Sequence, residues 1–280
     1  MSDDETDDLF AEMEQDNEEF LQRIEKASED TIVGLVDAGS AAGGSMGNTD
    51  VWDLTMTLAA WKNASGELTK EEIRVELPVS KNELSQFMSE IEAYSIVKMK
   101  VRMAQHPNGF IQGLASELIS TNHMDAELTL IAEELQKPVI LQDPKFGSLT
   151  LDRSLNSYQG TVKWAGSEIS LALSYEDESE VQELLEVARK LWEQESVWAS
   201  RVADFAVEKL LERKNEIWLD EDESEVTPDE FKSRMVLQSI TVYPDGEFEF
   251  WHDDGDLFWG HAIQVSGNLT EGLTDIDTPG

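Results

Sequence analysis

The sequence predicts an α+β protein in which two small domains follow a short acidic arm. A chain of 280 residues has the length of two ordinary domains. Forty per cent of its residues are hydrophobic, including eight Trp and ten Phe, which is enough apolar material for two cores. Strand-like and helix-like patterns alternate in both halves, and neither half contains an internal repeat. We therefore place the arm at residues 1–49, the first domain at 50–138 and the second at 139–280.

The composition excludes several classes of protein. The absence of Cys excludes disulfides, thiolate metal sites and thiol nucleophiles. The longest apolar run near the start, Ile32 to Val36, is far shorter than the about 20 residues that cross a bilayer. The residues from Ser2 to Asp8 are almost all acidic, whereas a signal peptide begins with positive charge. We expect a cytoplasmic protein without membrane contact.

The net charge is the most unusual property of the chain. Fifty-nine Asp and Glu stand against 21 Lys and Arg, which gives a formal net charge of −38. Because such a surface repels phosphate backbones, we expect no direct binding of nucleic acid. Three interpretations of the charge stay open: solubility or salt adaptation, steering toward a basic protein partner, and diffuse binding of cations.

The first 49 residues are predicted to form an arm rather than a domain. The segment from Met1 to Glu19 holds ten acids and no base, so we expect it to be disordered. The small polar residues Ala38 to Thr49 are predicted to be a linker. A short amphipathic helix that must dock elsewhere lies between them. Its apolar residues are Phe20, Leu21, Ile24 and Ala27.

The first domain is predicted to contain strands, a central helix and a closing helix. Ser80 and Glu83 form the capping-box pattern that begins the central helix. Residues Phe110 to Ile119 fit a strand and a helix equally well. The other predicted elements are strands Val51–Trp61, Glu72–Val79 and Ile96–Met103 and the closing helix Asp125–Gln136. This order permits a small barrel of the oligonucleotide-binding (OB) type.

The second domain is predicted as an antiparallel sheet with helices packed on it. A tight turn at Ala165–Ser167 joins two strands, and Thr227 with Pro228 begins a short helix. Two longer helices precede that short one. The predicted strands are Gly147–Leu151, Tyr158–Trp164, Glu168–Leu173, Leu237–Tyr243, Glu247–Trp251 and Leu257–Val265. We expect the tryptophans to be core residues rather than a ligand cage: Trp164, Trp192, Trp198, Trp218, Trp251 and Trp259.

The segment from His252 to His261 is the richest group of polar side chains. Its three carboxylates and two imidazoles could ligate a divalent metal or supply an acid and a base. However, Asp254 and Gly255 are typical of an ordinary hairpin turn. In the predicted last strand, His261 lies on the apolar face. We therefore favour a structural role for this segment and predict no metal, no cofactor and no certain catalytic residue.

Other site patterns are better explained by folding. Lys98, Lys100 and Arg102 share one strand face that could hold an anionic ligand or strand, but we favour pairing with nearby acids or an edge strand protected by cations. The acidic loop Asp220 to Glu225 lacks the central Gly of a calcium loop. Phosphate-binding Gly-rich loops, nucleophile elbows and His-Glu-x-x-His helices do not occur in the sequence.

The second domain resembles a bacterial family, domain of unknown function 2262. The residues that carry the resemblance are Asp143–Asp152, Tyr158–Gly160 with Trp164, Trp218–Leu219, Thr227–Phe231, Tyr243–Gly246, Phe250–Trp251 and Asp254–His261. They follow one another in order over the last half of the chain. The resemblance implies a shared fold and no particular activity.

The function that we predict is a non-enzymatic protein-interaction module, immunity-like or regulatory, that uses its acidic surface against a basic partner. The alternative is a small-ligand-binding protein or a hydrolase-like enzyme with a pocket around Asp254, Asp256 and His261, which are the catalytic candidates. Tyr243 or Trp251 would form the walls of that pocket. The sequence implies no particular oligomeric state.

Overall fold

The computed structural model describes residues 19–45, 51–107, 109–219 and 223–280. The chain divides into two compact units, Met1–Lys137 and Pro138–Gly280, so the division lies one residue from the boundary that we predict. The acidic residues 1–18, for which we predict disorder, lie outside the described part of the chain. Within the described residues, no helix has both the length and the apolar character needed to cross a membrane.

The described residues of the first unit form six strands and two helices, preceded by a helical stretch at residues 19–26. The strands are β1 (Glu29–Gly44), β2 (Val51–Lys62), β3 (Leu68–Thr69), β4 (Ile73–Ser80), β5 (Ile96–Gln105) and β6 (Ile111–Ser120). The helices are α1 (Lys81–Glu90) and α2 (Ala126–Leu135). The Ser80–Glu83 capping box begins α1, and Asp125 caps α2, both as predicted.

The five long strands of this unit close into a barrel. Strand β1 pairs antiparallel with both β2 and β5. The circle is completed by β2 with β4, β4 with β6 and β6 with β5, of which only the β4–β6 pair is parallel. Helix α1 lies between β4 and β5 in the chain. This is a five-stranded Greek-key barrel of the OB type, so the predicted fold is confirmed.

The predicted linker at residues 38–49 is wrong for its first part, because residues up to Gly44 belong to β1. The small residues of this segment allow β1 to bend and to pack closely against its neighbours. A Cβ added at Gly34 or Gly43 would collide with the side chain of Leu58 or Leu84, so only Gly lets these leucines fill the barrel. The bend lies at a bulge where Ser40 takes a φ of 57°.

The second unit is one eight-stranded sheet with helices. Its strands are β7 (Ile140–Asp143), β8 (Gly147–Asp152), β9 (Ser157–Trp164), β10 (Ser167–Ser174), β11 (Val236–Val242), β12 (Glu247–Asp253), β13 (Ala262–Asn268) and β14 (Gly272–Asp277). They lie in the order β14-β13-β12-β11-β10-β9-β8-β7. The helices are α3 (Val181–Glu193), α4 (Glu195–Ile217) and α5 (Pro228–Arg234).

The helices of this unit explain the single parallel pair in its sheet. All three lie between β10 and β11 in the chain, and these two strands pair in parallel because the long crossover brings the chain back to the same end. The buried core joins the helices to one face of the sheet, with Trp164 edge-on to Trp192 at 4.7 Å and Trp198 edge-on to Phe248 at 5.0 Å. These three tryptophans are core residues, as predicted.

The predicted strand Leu257–Val265 is wrong in its first half. Strand β13 begins only at Ala262, and residues 254–261 form the connection from β12. The run of apolar residues in this connection resembles a strand because Leu257 and Phe258 are buried, although they are buried as neighbours rather than alternately.

Candidate functional site

The connection between β12 and β13 is organised by one carboxylate. Asp254 is only 3% exposed. Its Oδ1 accepts a hydrogen bond from the N–H of Asp256 at 3.2 Å. Its Oδ2 accepts from the N–H of Phe258 at 2.5 Å and of Gly260 at 3.2 Å. Both oxygens therefore hold the backbone of this segment, which we call the Asp254 loop (residues 254–261).

The Asp254 loop contains four residues in the left-handed region. Their φ angles are 54° at Gly255, 64° at Asp256, 58° at Trp259 and 87° at Gly260. A non-Gly residue in this conformation costs about 1–2 kcal/mol, and such backbone persists where the surroundings hold it in place. The three hydrogen bonds to Asp254 supply that constraint.

Trp259 is the exposed residue of the Asp254 loop, with 58% of its surface accessible. Its ring lies 4.7 Å from that of Trp218, tilted by 55°. Phe258, the residue before Trp259, is fully buried and lies edge-on to Trp218 at 5.6 Å. Our expectation that Trp259 belongs to the core is wrong, because the left-handed turn directs its side chain outward while Phe258 anchors the loop.

His261 lies at the end of the loop and faces the last residues of the chain. Its Nδ1 is 3.1 Å from the carbonyl oxygen of Thr278, and its ring is edge-on to Trp218 at 5.2 Å. Gly280 lies against the same ring. Among the described residues, no ion pair joins His261 to Asp254 or to the exposed Asp256.

The three catalytic candidates thus have separate surroundings. Asp254 binds backbone amides, Asp256 faces solvent, and His261 contacts the C-terminal residues. Their catalytic role stays a prediction, and we do not build the functional proposal on it. In the described part of the chain, no group of three or more His, Asp and Glu is placed to hold a metal ion.

Tyr243 and Trp251, which we predicted as walls of a pocket around Asp254, both bind Glu249. The Tyr243 hydroxyl and the Trp251 Nε1 both donate to Oε2 of Glu249, at 3.0 Å and 2.9 Å. Glu249 and Trp251 alternate along β12 with the buried Phe248 and Phe250, so they lie on the opposite face of the sheet. Burial, with a smaller contribution from Glu249, raises the pKa of Tyr243 to about 12.

A chain of ion pairs supports Trp218 and the Asp254 loop. The fully buried Nζ of Lys214 donates to Oε2 of Glu223 at 2.6 Å and to the carbonyl oxygen of Trp218 at 2.8 Å. Arg234 joins Oε1 of Glu223, at 2.9 Å, to the carbonyl oxygen of Gly255, at 2.8 Å.

Sequence reasoning missed this network because its members come from α4, α5 and the acidic segment between them. The signal in the sequence was the position of Lys214, which continues at i+4 spacing the buried residues of α4: Trp198, Val202, Ala206 and Leu210. Residues 220–222 of the acidic segment lie outside the described part of the chain.

Two of the three cations on β5 of the first unit have the acidic partners that we expected, whereas Lys98 forms no ion pair with the described residues. Lys100 pairs with Glu117 on β6 at 2.6 Å, and Arg102 lies 3.9 Å from Glu29 on β1. Both pairs are well exposed, so each contributes about 0–1 kcal/mol to stability.

Comparison with known families identifies the second unit. Residues 143–277 match the family described as "Uncharacterized protein conserved in bacteria (DUF2262)". The second unit is a DUF2262 domain. Residues 16–135 match a second family, "Domain of unknown function (DUF7021)". The Asp254 loop lies within the DUF2262 match, as the resemblance predicts. No curated protein matches the chain.

Solved structures with similarity to the chain include single-stranded DNA-binding proteins. Rim1 of S. cerevisiae mitochondria is 14% identical and covers 35% of this chain and 99% of its own, with a TM-score of 0.25. The small protein of Streptomyces coelicolor is 11% identical over 36% of this chain and 97% of its own, with the same TM-score. The wild-type Thermus aquaticus protein is 11% identical over 56% of this chain and 78% of its own, again at 0.25.

The expectation that the chain does not bind nucleic acid directly is contradicted by these neighbours, and we withdraw it. It was derived from the net charge of the whole chain. The net charge is summed over both units, whereas a ligand interacts with the charges on a single face.

Proposed function

We propose that the DUF2262 domain is a non-enzymatic, cytoplasmic protein-interaction module that binds a positively charged partner through Trp259. The observation that carries this proposal is the exposed indole of Trp259 on a left-handed, hydrogen-bonded loop. Tryptophan is enriched among the few interface residues that supply most of the binding free energy. An exposed Trp in a strained backbone position is difficult to explain by folding alone.

The geometry of the loop favours binding because little order has to be created. The three hydrogen bonds to Asp254 and the contact with Trp218 already hold Trp259 in place. A side chain that is ordered before association loses less conformational entropy when the complex forms. Trp259 is therefore suited to act as a preformed anchor.

The acidic residues near Trp259 in the chain favour a basic partner. Asp253 and Asp256 are exposed and close to Trp259 in sequence, as Glu216 is to Trp218, whose ring also has the Arg213 guanidinium at 5.9 Å. The face of an indole attracts Lys and Arg side chains, and carboxylates at its rim add to that attraction. The acid excess of the whole chain would also accelerate the encounter with a basic protein.

The test begins with the full chain immobilised and exposed to nuclease-treated bacterial lysate at low and moderate salt. The retained protein is identified by mass spectrometry and purified, and its affinity is measured by calorimetry. We compare the wild type with Trp259→Ala and with Leu155→Ala, a matched control because Leu155 is 61% exposed in the same domain. We expect a basic partner, about tenfold or more weaker binding by Trp259→Ala, and no change in Leu155→Ala.

Three results would contradict the proposal. One is that no protein is retained above background at low salt. Another is equal affinity of the wild type and Trp259→Ala. The third is that a labelled single-stranded oligonucleotide binds the wild type and loses its affinity in Trp259→Ala, which would assign the Trp259 surface to nucleic acid.

A further inference from the structure

A cavity of about 330 Å³ opens beside α4 in the DUF2262 domain, and the residues that line it do not include the Asp254 loop. Its wall is mainly apolar and comes from β9, β10, α4, α5, β11 and β12. The principal lining residues are Trp164, Ile169, Val202, Met235, Phe250 and His252. Its volume lies within the range of small-molecule sites, which are concave and mostly apolar with a few polar groups.

The space exists because α4 presents small side chains there. Ala199 and Ala203, one helical turn apart, line the cavity, whereas the neighbouring inward residues of α4 include the bulky Trp198 and Val202. The cavity is a cleft that opens to solvent, bordered by these two alanines and by the rings of Trp164 and Phe250.

His252 is the polar group of the cavity wall. It alternates with Phe248 and Phe250 along β12, so its ring points to the helix side of the sheet. Only 8% of the residue is exposed, and its Nδ1 is buried without a hydrogen-bond partner. Buried polar atoms almost always have a partner, so the unpaired Nδ1 marks a hydrogen-bonding capacity that the ring leaves unused in this orientation.

The titratable groups in the cavity wall present no net charge to a bound molecule. Burial lowers the pKa of His252 to about 4, although the nearby carbonyls of Ile263 and Phe250 act in the opposite direction, so the imidazole is neutral near pH 7. Lys232 lies in the wall and forms an ion pair with Asp204. The surroundings therefore favour an uncharged molecule.

We propose that this cavity binds a small, uncharged, mainly apolar molecule that carries one hydroxyl or amide group and hydrogen-bonds to His252. The apolar body of the molecule occupies the space between Val202 and Phe250, beside Ala203. Nδ1 is out of reach of solvent, so its pairing requires a half-turn of the ring, which exchanges Nδ1 with Cδ2. The terminal torsion of His has a broad two-fold profile that allows this rotation.

The test uses phenol, indole and 1-hexanol as probes and toluene as the probe without a hydrogen-bonding group. Binding to the full chain is followed by the thermal midpoint and by the NMR signals of the His252 ring. We expect at least one hydroxyl or N–H probe to raise the thermal midpoint and to shift the His252 signals, because a ligand that binds only the native state stabilises it.

Two variants locate the binding. Ala203→Leu fills the cavity and should weaken probe binding at least tenfold, whereas Glu212→Leu, on an exposed part of α4, should not. His252→Phe keeps the apolar wall and should remove the preference for the polar probes over toluene. If Ala203→Leu does not fold, Ala199→Leu takes its place.

The proposal is overturned if no probe binds, if the cavity-filling variants bind as well as the wild type, or if His252→Phe keeps the preference for polar probes. None of these results depends on a protein partner. Failure here and failure of the Trp259 proposal are therefore distinguishable.

Discussion

The carboxylate of Asp254 accepts a hydrogen bond from the backbone N–H of Phe258, with 2.5 Å between Oδ2 and N. This contact buries the Phe258 ring and turns the next residue, Trp259, toward solvent. One acidic side chain thus connects the core of the DUF2262 domain to the surface that we propose as its interaction site.

Removing that carboxylate should destabilise the domain. Asp254→Ala leaves three backbone N–H groups without this acceptor, and that of Phe258 lies in a buried environment. Because hydrogen bonds to charged groups contribute about 1.5–3 kcal/mol each and partly overlap, we expect a loss of about 3 kcal/mol in the free energy of unfolding, measured in urea. The exposed Asp256→Asn is the control and should change it by less than about 0.5 kcal/mol. Equal effects would contradict the role of Asp254.

Trp259 should contribute little to stability. In Trp259→Gly, relief of the left-handed strain, about 1 kcal/mol, offsets the loss of the ring contact with Trp218, about 0.5–1.5 kcal/mol. We expect a net change below about 1 kcal/mol by chemical denaturation, together with loss of partner binding. A large loss of stability would mean that Trp259 serves folding rather than binding.

The buried cation Lys214 should matter more than any exposed base. Lys214→Met removes its ion pair with Glu223 and its bond to the carbonyl of Trp218, while Glu223 keeps Arg234. We expect a loss of about 2 kcal/mol in the free energy of unfolding, below the range for a wholly unpaired buried charge. Lys209→Met, at an exposed pair with Glu208, should cost less than about 0.5 kcal/mol. A similar result for both would remove Lys214 from the supporting network.

His252 should make stability depend on pH between about 4 and 6.5. Its pKa falls from 6.5 to about 4 on folding, so the unfolded chain binds more protons in this range. The stabilisation is complete above pH 6.5 and is lost as the pH falls toward 4, by about 3 kcal/mol. In urea titrations, we expect the free energy of unfolding of His252→Phe to rise relative to that of the wild type as the pH is lowered from 6.5 to 4. A constant difference between the two proteins would refute the lowered pKa.

Some local elements were predictable from residues close together in the chain. The Ser80–Glu83 capping box and the Asp125 cap lie within three residues of the groups that they bind, so their pattern is visible without the fold. The alternation of Phe248 and Phe250 likewise predicts a half-buried strand. His252 continues that alternation and could have been recognised as an inward-facing His.

Other features depend on residues that meet only after folding. The small residues at the end of β1 resemble a linker until Leu84 is placed against Gly43. The apolar run from Leu257 resembles a strand until Asp254 is seen to bind the amides of Phe258 and Gly260.

The sequence by itself determined the class of fold, the two units, the membership of the second in the DUF2262 family and the acidic charge. It did so because composition, caps and alternating patterns are local properties. Only the tertiary structure decided that Trp259 is exposed, that Lys214 is buried with Glu223, and that His252 lines a cavity beside α4. Each of these depends on which distant residues occupy the surrounding space, and no short pattern encodes that.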